Sequence, residues 1–331
     1  MSTDRDRGVA LLLVLLFVTL LTAIVVSYCY ETRVEAAMAA NHASLMEAHA
    51  AAKSAIAMGM SLLQADLDNL DGTGGGEFDA LTDVWATGVP FQELNRAVMQ
   101  CTVADEYGKI NLSALLEGPD DEPNEVLEAA LRMLFELRGV EEDPVDAILD
   151  WMDRDDEPRM NGAETDFYAA REIAVGCKNA PMDSLEELLM VPGITPDVFF
   201  GDPELEQSPL TELLTVRGHP SGKINANTAE RETLDALGEA LGRTGLGEIV
   251  IAARDQAPFE SVDDLRGRGI LEPQSRGEGA SADPLDVASR VFRIRGDGLA
   301  RQGKVRIEAY VRREPHGGAG AFRVLDWRVI Q

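Results

Sequence analysis

RGVALLLVLLFVTLLTAIVVSYCY, Arg7 to Tyr30, is the stretch that decides the fold. From Val9 to Tyr30 it carries no charge and is mostly Leu, Val, Ala and Ile. As a helix it spans ~33 Å, enough for a hydrocarbon core of ~30 Å. It exceeds the ~7–15 apolar residues of a secretory signal. No small-residue cleavage site sits just past it, since Ala37-Met-Ala39 lies well downstream. The polar leader before it holds Asp4, Arg5, Asp6 and Arg7, whose charges cancel, and it ends at Gly8. A plain signal anchor and an atypical secretory signal both fit. So does a third layout, in which a peptidase cuts between Gly8 and Val9 and leaves the helix in place.

Working outward, the helix continues. Glu31 to about Leu70 has no proline, one glycine (Gly59) and many alanines, the best helix former. Val34, Met38, Leu45, Ala52, Ile56 and Leu63 recur at helical spacing and form one stripe. The rod from Val9 to Leu70 is ~90 Å long. Asp71-Gly-Thr-Gly-Gly-Gly76 breaks it. A coiled-coil stalk is the plainer reading, but no heptad is sustained.

Beyond the break, Ala97–Ala104 reads as a strand, and Gly108-Lys-Ile-Asn111 recurs letter for letter at Gly222-Lys-Ile-Asn225. Helical patterns cover Asn124–Leu137, Pro144–Trp151, Ser184–Met190 and Pro209–Val216. The end alternates apolar and polar at Arg290–Arg295, Lys304–Val311 and Phe322–Ile330. Gly296-Asp-Gly298 and Pro315-His-Gly-Gly318 read as the turns of a three-stranded antiparallel meander. The expected class is therefore α+β: a long N-terminal transmembrane helix packed on a small antiparallel sheet, interrupted by an inserted α-helical domain. The expected divisions are a leader at 1–8, the membrane span at 9–30, and a helix with the first strand at 31–104. The insertion runs over 105–275 and the β-meander over 276–331.

The chain has 331 residues with 58 acidic and 30 basic side chains, a net charge of −28. That balance excludes binding to nucleic acid or anionic lipid through overall positive charge. The excess is local: residues 31–220 hold 39 acids and 11 bases, whereas 221–331 hold 17 of each. Its densest point is Asp150-Trp-Met-Asp-Arg-Asp-Asp-Glu157 with Glu164 and Asp166 close behind, seven carboxylates in seventeen residues. Carboxylates that crowded repel unless they are solvated or bridged by a cation, and hard oxygens suit Ca²⁺. An EF-hand does not match, because Pro158 stands where the loop needs glycine. A solvated acidic loop is the alternative. An Asp-x-Asp sugar-nucleotide site lacks any accompanying βαβ pattern.

A second constellation, Ile224–Ala229, Gly245–Arg254 and Pro258–Leu265, looks like a helix-hairpin-helix, and Ser184–Ile194 like half of another. Its Gly-x-Gly turn would offer backbone amides to a DNA phosphate. Residues 221–275, however, hold six bases against ten acids, so a helical scaffold is preferred over DNA contact. No Gly-x-Ser-x-Gly, His-Glu-x-x-His or P-loop is present, and no nucleophile–base pair emerges. His42 and His49 share a helix face, too few for a metal site. Three cysteines make no disulfide scaffold, and a pairing of Cys101 with Cys177 is left open.

The Gly8–Val9 junction resembles the class III signal of type IV pilins and type II secretion pseudopilins. It departs from most relatives in having Val9 as first mature residue and Leu13 where they carry glutamate. That glutamate neutralises a neighbour's N-terminal amine inside the membrane, so its loss points to a subunit with nothing stacked above it. Together with Asp150–Asp155 and Gly162-Ala-Glu164, the layout resembles the minor pseudopilin K (general secretion pathway protein K) family. The resemblance covers nearly the whole chain and implies a pilin-like fold whose inserted domain has helix-hairpin-helix-like (SAM-like) repeats. It implies calcium held by Asp150, Asp153, Asp155 and Glu164, with Asp166 a weaker ligand. It further implies prepilin peptidase processing at Gly8, methylation of Val9, and a structural, non-enzymatic role. The expected place is the bacterial inner membrane, single-pass, with the C-terminal domain in the periplasm. The expected partners are the I and J minor pseudopilins at the pseudopilus tip and the major pseudopilin, with exoprotein or secretin as further contacts and no nucleic acid. The competing function is a membrane-anchored DNA-uptake protein.

Overall fold

The computed structural model describes residues 3–73, 78–171, 176–202, 205, 207–272, 283–314 and 322–330. Helix α1 (Thr3–Thr73) runs unbroken through the apolar span. Its section from Leu11 is long and apolar enough to cross a membrane, with none of the span buried. Packing begins only at Ser44. From there Ala48, Ala51, Ala52, Ala55, Ile56 and Leu63 form a buried stripe. The expected stripe is thus half covered: Ala52, Ile56 and Leu63 are buried, whereas Val34, Met38 and Leu45 stay exposed on the section before the sheet.

The partner of α1 is a five-stranded antiparallel sheet, order β1-β2-β9-β10-β11. Strands β1 (Val89–Leu94) and β2 (Ala97–Asp105) precede a long insertion. The insertion carries β3 (Ile110–Asn111), the small pair β4 (Leu116–Glu117) and β5 (Glu122–Pro123), then α2 (Glu125–Leu137), α3 (Val145–Met152) and α4 (Thr165–Ala169). Further along lie α5 (Pro196–Phe200), α6 (Leu210–Leu213), β6 (Leu214–Thr215), β7 (Ile224–Asn225), α7 (Arg231–Ala240), α8 (Leu246–Gln256), α9 (Val262–Gly267) and β8 (Leu285–Asp286). The chain then returns as β9 (Val291–Ala300), β10 (Lys304–Arg313) and β11 (Phe322–Ile330).

The meander holds, with a correction. Gly296 and Gly298 do not turn the chain; they lie inside β9, beneath α1. A Cβ on Gly298 would sit 1.9 Å from the Ala48 carbonyl oxygen, and one on Gly296 2.5 Å from that of Ala52. Gly59 answers from the helix, where a Cβ would meet Ile294 at 2.5 Å. These glycines let helix and sheet backbones touch, and the alanines of α1 exist for the same reason. The turn expected at 315–318 lies outside the described residues. Strand β1 has no counterpart in the sequence reading: it is a largely exposed edge without alternation.

The insertion has its own core, from Ile110 to Val287, separate from the helix–sheet core. Helix α2 shows why it folds. Asn124 accepts the Leu127 N–H as N-cap, and Leu127, Ala130, Leu131, Leu134 and Phe135 bury one face against α7. The segment expected as helix at 209–216 gives only α6. Leu214 and Thr215 instead pair in parallel with Ile110 and Asn111. The repeated Gly-Lys-Ile-Asn plays one part twice. Asn111 accepts the Ser113 N–H and Asn225 accepts the Asn227 N–H, each beside a short parallel pair. The second pair recruits Leu285, which packs in the insertion's core although the sequence reading grouped it with the terminal meander.

Where the chain enters and leaves the insertion, buried polar groups bind the two bodies. Asn225 Nδ2 donates to the Asp79 carbonyl, Asp105 Oδ2 and Ser289 Oγ at 2.8–3.2 Å. Asp105 also accepts from Ser289 Oγ, Thr228 Oγ1 and the Tyr107 N–H. Ion pairs join the two bodies as well: Arg293 and Arg328 of the sheet pair with Glu212 and Glu186 of the insertion, and Arg217 of the insertion with Asp326 of β11.

Candidate metal centre

Helix α3 is buried along its length. Asp150 lies on its last turn and Asp153 is its C-cap, with the Asp153 N–H donated to Leu149 O at 2.9 Å. The chain then loops outward and returns at Gly162, where a Cβ would lie 1.8 Å from Asp150 Oδ2. Only glycine closes the loop this tightly. Glu164 follows as the N-cap position of α4, but its side chain makes no capping bond. The nearest oxygens of Asp150, Asp153 and Glu164 lie within 4.8 Å of one another. All three residues are buried, at 0, 1 and 4% exposure.

This is not a solvated loop. Asp153 Oδ1 and both Glu164 carboxylate oxygens are buried without a hydrogen-bond partner, and so is Tyr168 Oη. A buried carboxylate oxygen without a partner is costly, so the arrangement asks for a ligand. Arg159 supplies part of it. Its Nη1 donates to Asp150 Oδ1 at 2.6 Å and to Asp153 Oδ2, and its backbone N–H to Asp150 Oδ2 at 3.1 Å. With all three carboxylates ionised, the single guanidinium leaves two net negative charges inside the protein.

Burial pushes the Glu164 carboxyl up to about 7, helped by the charges of Asp150, Asp153 and Asp156. It also raises Asp153, against the pull of Arg159. The neighbouring Cys177 Sγ lies 3.5 Å from the Asp150 carbonyl, and burial lifts its thiol to about 12. It is a neutral thiol beside hard oxygens, so the donor set fits a divalent cation of the calcium kind rather than a soft metal.

Of the five expected ligands the structure gathers three. Asp155 is exposed, with Oδ1 accepting the Glu157 N–H at 2.8 Å, and Asp166 is exposed on the first turn of α4. Two residues escaped the sequence reading. Asp146 stands one turn before Asp150 and accepts the Asn161 N–H at 3.1 Å, bracing the loop's far side while Arg132 holds its other oxygen. Its i, i+4 spacing to Asp150 was the available signal. Arg159 was the other, a base inside an acidic run. The remaining expected positions lie on α1: Gly8 and Val9 fall within the helix, and Leu13 is exposed with the rest of the span.

The glycine turn suspected of meeting DNA joins α7 to α8, with Gly242 and Gly245 at φ 69° and 76°. The Gly247 amide there already donates to Asp235 Oδ1 at 2.9 Å. A phosphate would meet a carboxylate instead of a free N–H. Cys101 lies in the sheet core and Cys177 beside the insertion's core, and both are free.

Residues 108–200 match the family described as Type II secretion system (T2SS), protein K. The chain is 26% identical over 317 residues to Type II secretion system protein K of Pectobacterium carotovorum subsp. carotovorum, covering 92% of this chain and 89% of that protein. It is 26% identical over 273 residues to the Type II secretion system protein K of Pseudomonas aeruginosa, covering 78% and 76%. Among solved structures, a chain of the GspK-GspI-GspJ complex from the enterotoxigenic Escherichia coli Type 2 Secretion System has a similar fold. The TM-score is 0.64 at 20% identity, over 84% of this chain and 94% of that one.

Proposed function

We propose that this chain is a type II secretion system K-type protein, a minor pseudopilin. The observation that carries the reading is the architecture of α1. One helix is bare and apolar over its first half and seated on a five-stranded sheet over its second, with a bulky helical insertion between β2 and β9. Such a subunit stands in the inner membrane with its globular part in the periplasm. Peptidase cleavage after Gly8 leaves Val9 as the new, methylated N-terminus. Leu13 offers no carboxylate to a neighbour's amine, and a bulky insertion would obstruct a subunit stacked above. Both favour the tip. The E. coli relative was solved with GspI and GspJ. By analogy this chain assembles with I- and J-type partners above the major pseudopilin, where it is placed to meet exoprotein or the secretin. Its role is structural rather than catalytic.

Asp150, Asp153 and Glu164 would hold calcium, which would offset the negative charge of their carboxylates. In doing so these residues tie the end of α3 to the start of α4, and Gly162 and Asp146 keep the loop between them in place. Co-expression of this chain with I- and J-type partners, followed by purification on one tag, tests the tip reading. A stable ternary complex is expected; a chain that purifies alone under those conditions overturns it. The DNA-uptake reading predicts salt-sensitive binding in a gel shift. The occupied Gly247 amide argues against it.

A further inference from the structure

The cluster beneath α3 already contains a cation, the Arg159 guanidinium. Nη1 of that side chain takes one oxygen from each of the two α3 carboxylates, Asp150 Oδ1 and Asp153 Oδ2. The oxygens it leaves alone are Asp153 Oδ1 and both of Glu164. A divalent ion of the calcium kind takes six to eight oxygens at 2.3–2.6 Å. It would draw on the lone pairs that Nη1 now uses, and it would stand beside a like charge in a buried site.

We propose that Arg159 is an internal competitor for the cation: it neutralises Asp150 and Asp153 when no ion is bound and is displaced when one enters. The inference rests on the reading of Asp150, Asp153 and Glu164 as a cation site. Three features support displacement over coexistence. Asp150 and Asp153 are 0 and 1% exposed while the Arg159 side chain is 27% exposed, so the arginine forms the water-facing side of the cluster. Asp155, Asp156 and Glu157 are exposed on the same loop and can receive the guanidinium in solvent. The Arg159 backbone N–H holds Asp150 Oδ2 by itself, so the loop keeps its anchor when the side chain leaves. The arrangement also explains how a chain with this density of carboxylates folds before it meets an ion: the two most buried acids carry their own counter-charge. Ion affinity is then set by a difference between two cations competing for one pair of carboxylates.

The test is calorimetric titration of calcium chloride into the full chain in detergent, with thermal melts in EDTA and in saturating calcium. Arg159→Gln is expected to bind calcium about tenfold tighter, a difference of about 1.4 kcal/mol. It is also expected to melt lower than the parent in EDTA and level with it in saturating calcium. Arg159→Lys keeps the charge with a single ammonium and should fall between the two, which covers the case in which the glutamine variant does not fold. Calcium affinity that is unchanged or weaker in these variants overturns the competition while leaving the cation site standing. Glu164→Gln separates the two readings: parental affinity in that variant, or no binding by the parent itself, removes the site and the inference together.

Discussion

Glu164 presents two buried carboxylate oxygens without partners beside Asp150 and Asp153. The family resemblance implies it as a calcium ligand, and the fold buries it among the carboxylates of Asp150 and Asp153. The same resemblance implies Asp155, which the fold does not bring to the cluster: Asp153 caps α3 and the chain turns outward after it, leaving Asp155 exposed. Arg159 was invisible because its meaning is tertiary: a base among acids declares nothing until burial shows which acids it serves. Glu164→Gln should therefore lower the thermal midpoint in calcium, by about 2.7 kcal/mol of lost ion linkage at a hundredfold excess over the dissociation constant, and leave it unchanged or raised in EDTA. Asp155→Asn should do neither; equal losses for both variants in both buffers would dismiss the ion. Asp105 makes a second residue-scale prediction. Burial raises its carboxyl from the ordinary 3.8 to about 6, so the folded state binds the proton more readily than the unfolded state. Its contribution to stability falls as pH rises from about 4 to about 6 and stays unfavourable above, by about 3 kcal/mol. Stability of the parent should thus rise on acidification from pH 7 to 5, and Asp105→Asn should flatten that rise. An unaltered pH slope in the variant would contradict the assignment.

At the scale of elements, the periodic ones were legible and those shaped by contact were not. The long helix, β2, α2, α3 and the three terminal strands all carry their pattern locally, in apolar spacing and caps. Gly296 and Gly298 mimic a turn, yet they serve a strand, because the space they leave is filled by a helix more than 230 residues earlier in the chain. The end of the 209–216 segment leaves the helix for the same reason: Leu214 and Thr215 find β3. A side chain at Gly298 would press on the Ala48 backbone oxygen, which has no rotamer with which to yield. Gly298→Ala should cost about 3 kcal/mol or more and separate α1 from the sheet. Gly267→Ala, at a site with nothing within 4 Å of the added methyl, should be neutral or slightly stabilising. Equal stabilities of the two variants, measured by thermal melts in detergent, would contradict the contact assigned to Gly298.

For the whole molecule, the net charge of −28 conceals a division of labour. Residues 290–331 hold 10 bases and 4 acids, so the strands of the sheet are basic while the body inserted into them is strongly acidic. Pairs such as Arg293 with Glu212 and Arg328 with Glu186 use that contrast to seat the insertion on the sheet. The insertion's bulk is thereby held at the far end of the molecule from the apolar span. On the tip reading, a body placed there would block further stacking, and a subunit on which nothing stacks would receive no amine from a neighbour. Leu13, exposed on the apolar helix, is consistent with that position. Leu13→Glu would place a carboxylate in the bilayer with no amine to pair with, at a cost below the ~2.5–3.5 kcal/mol of a charge at the helix centre, because position 13 lies near the end of the span. Because Leu13 is more than 30 positions from the first buried residue of α1, the globular part should melt as before. Secretion, by contrast, should fall, through poorer insertion or through recruitment of a neighbour to the wrong place. Full secretion by this variant, at normal abundance and with normal melting, would remove the charge argument for the tip and leave only the steric one.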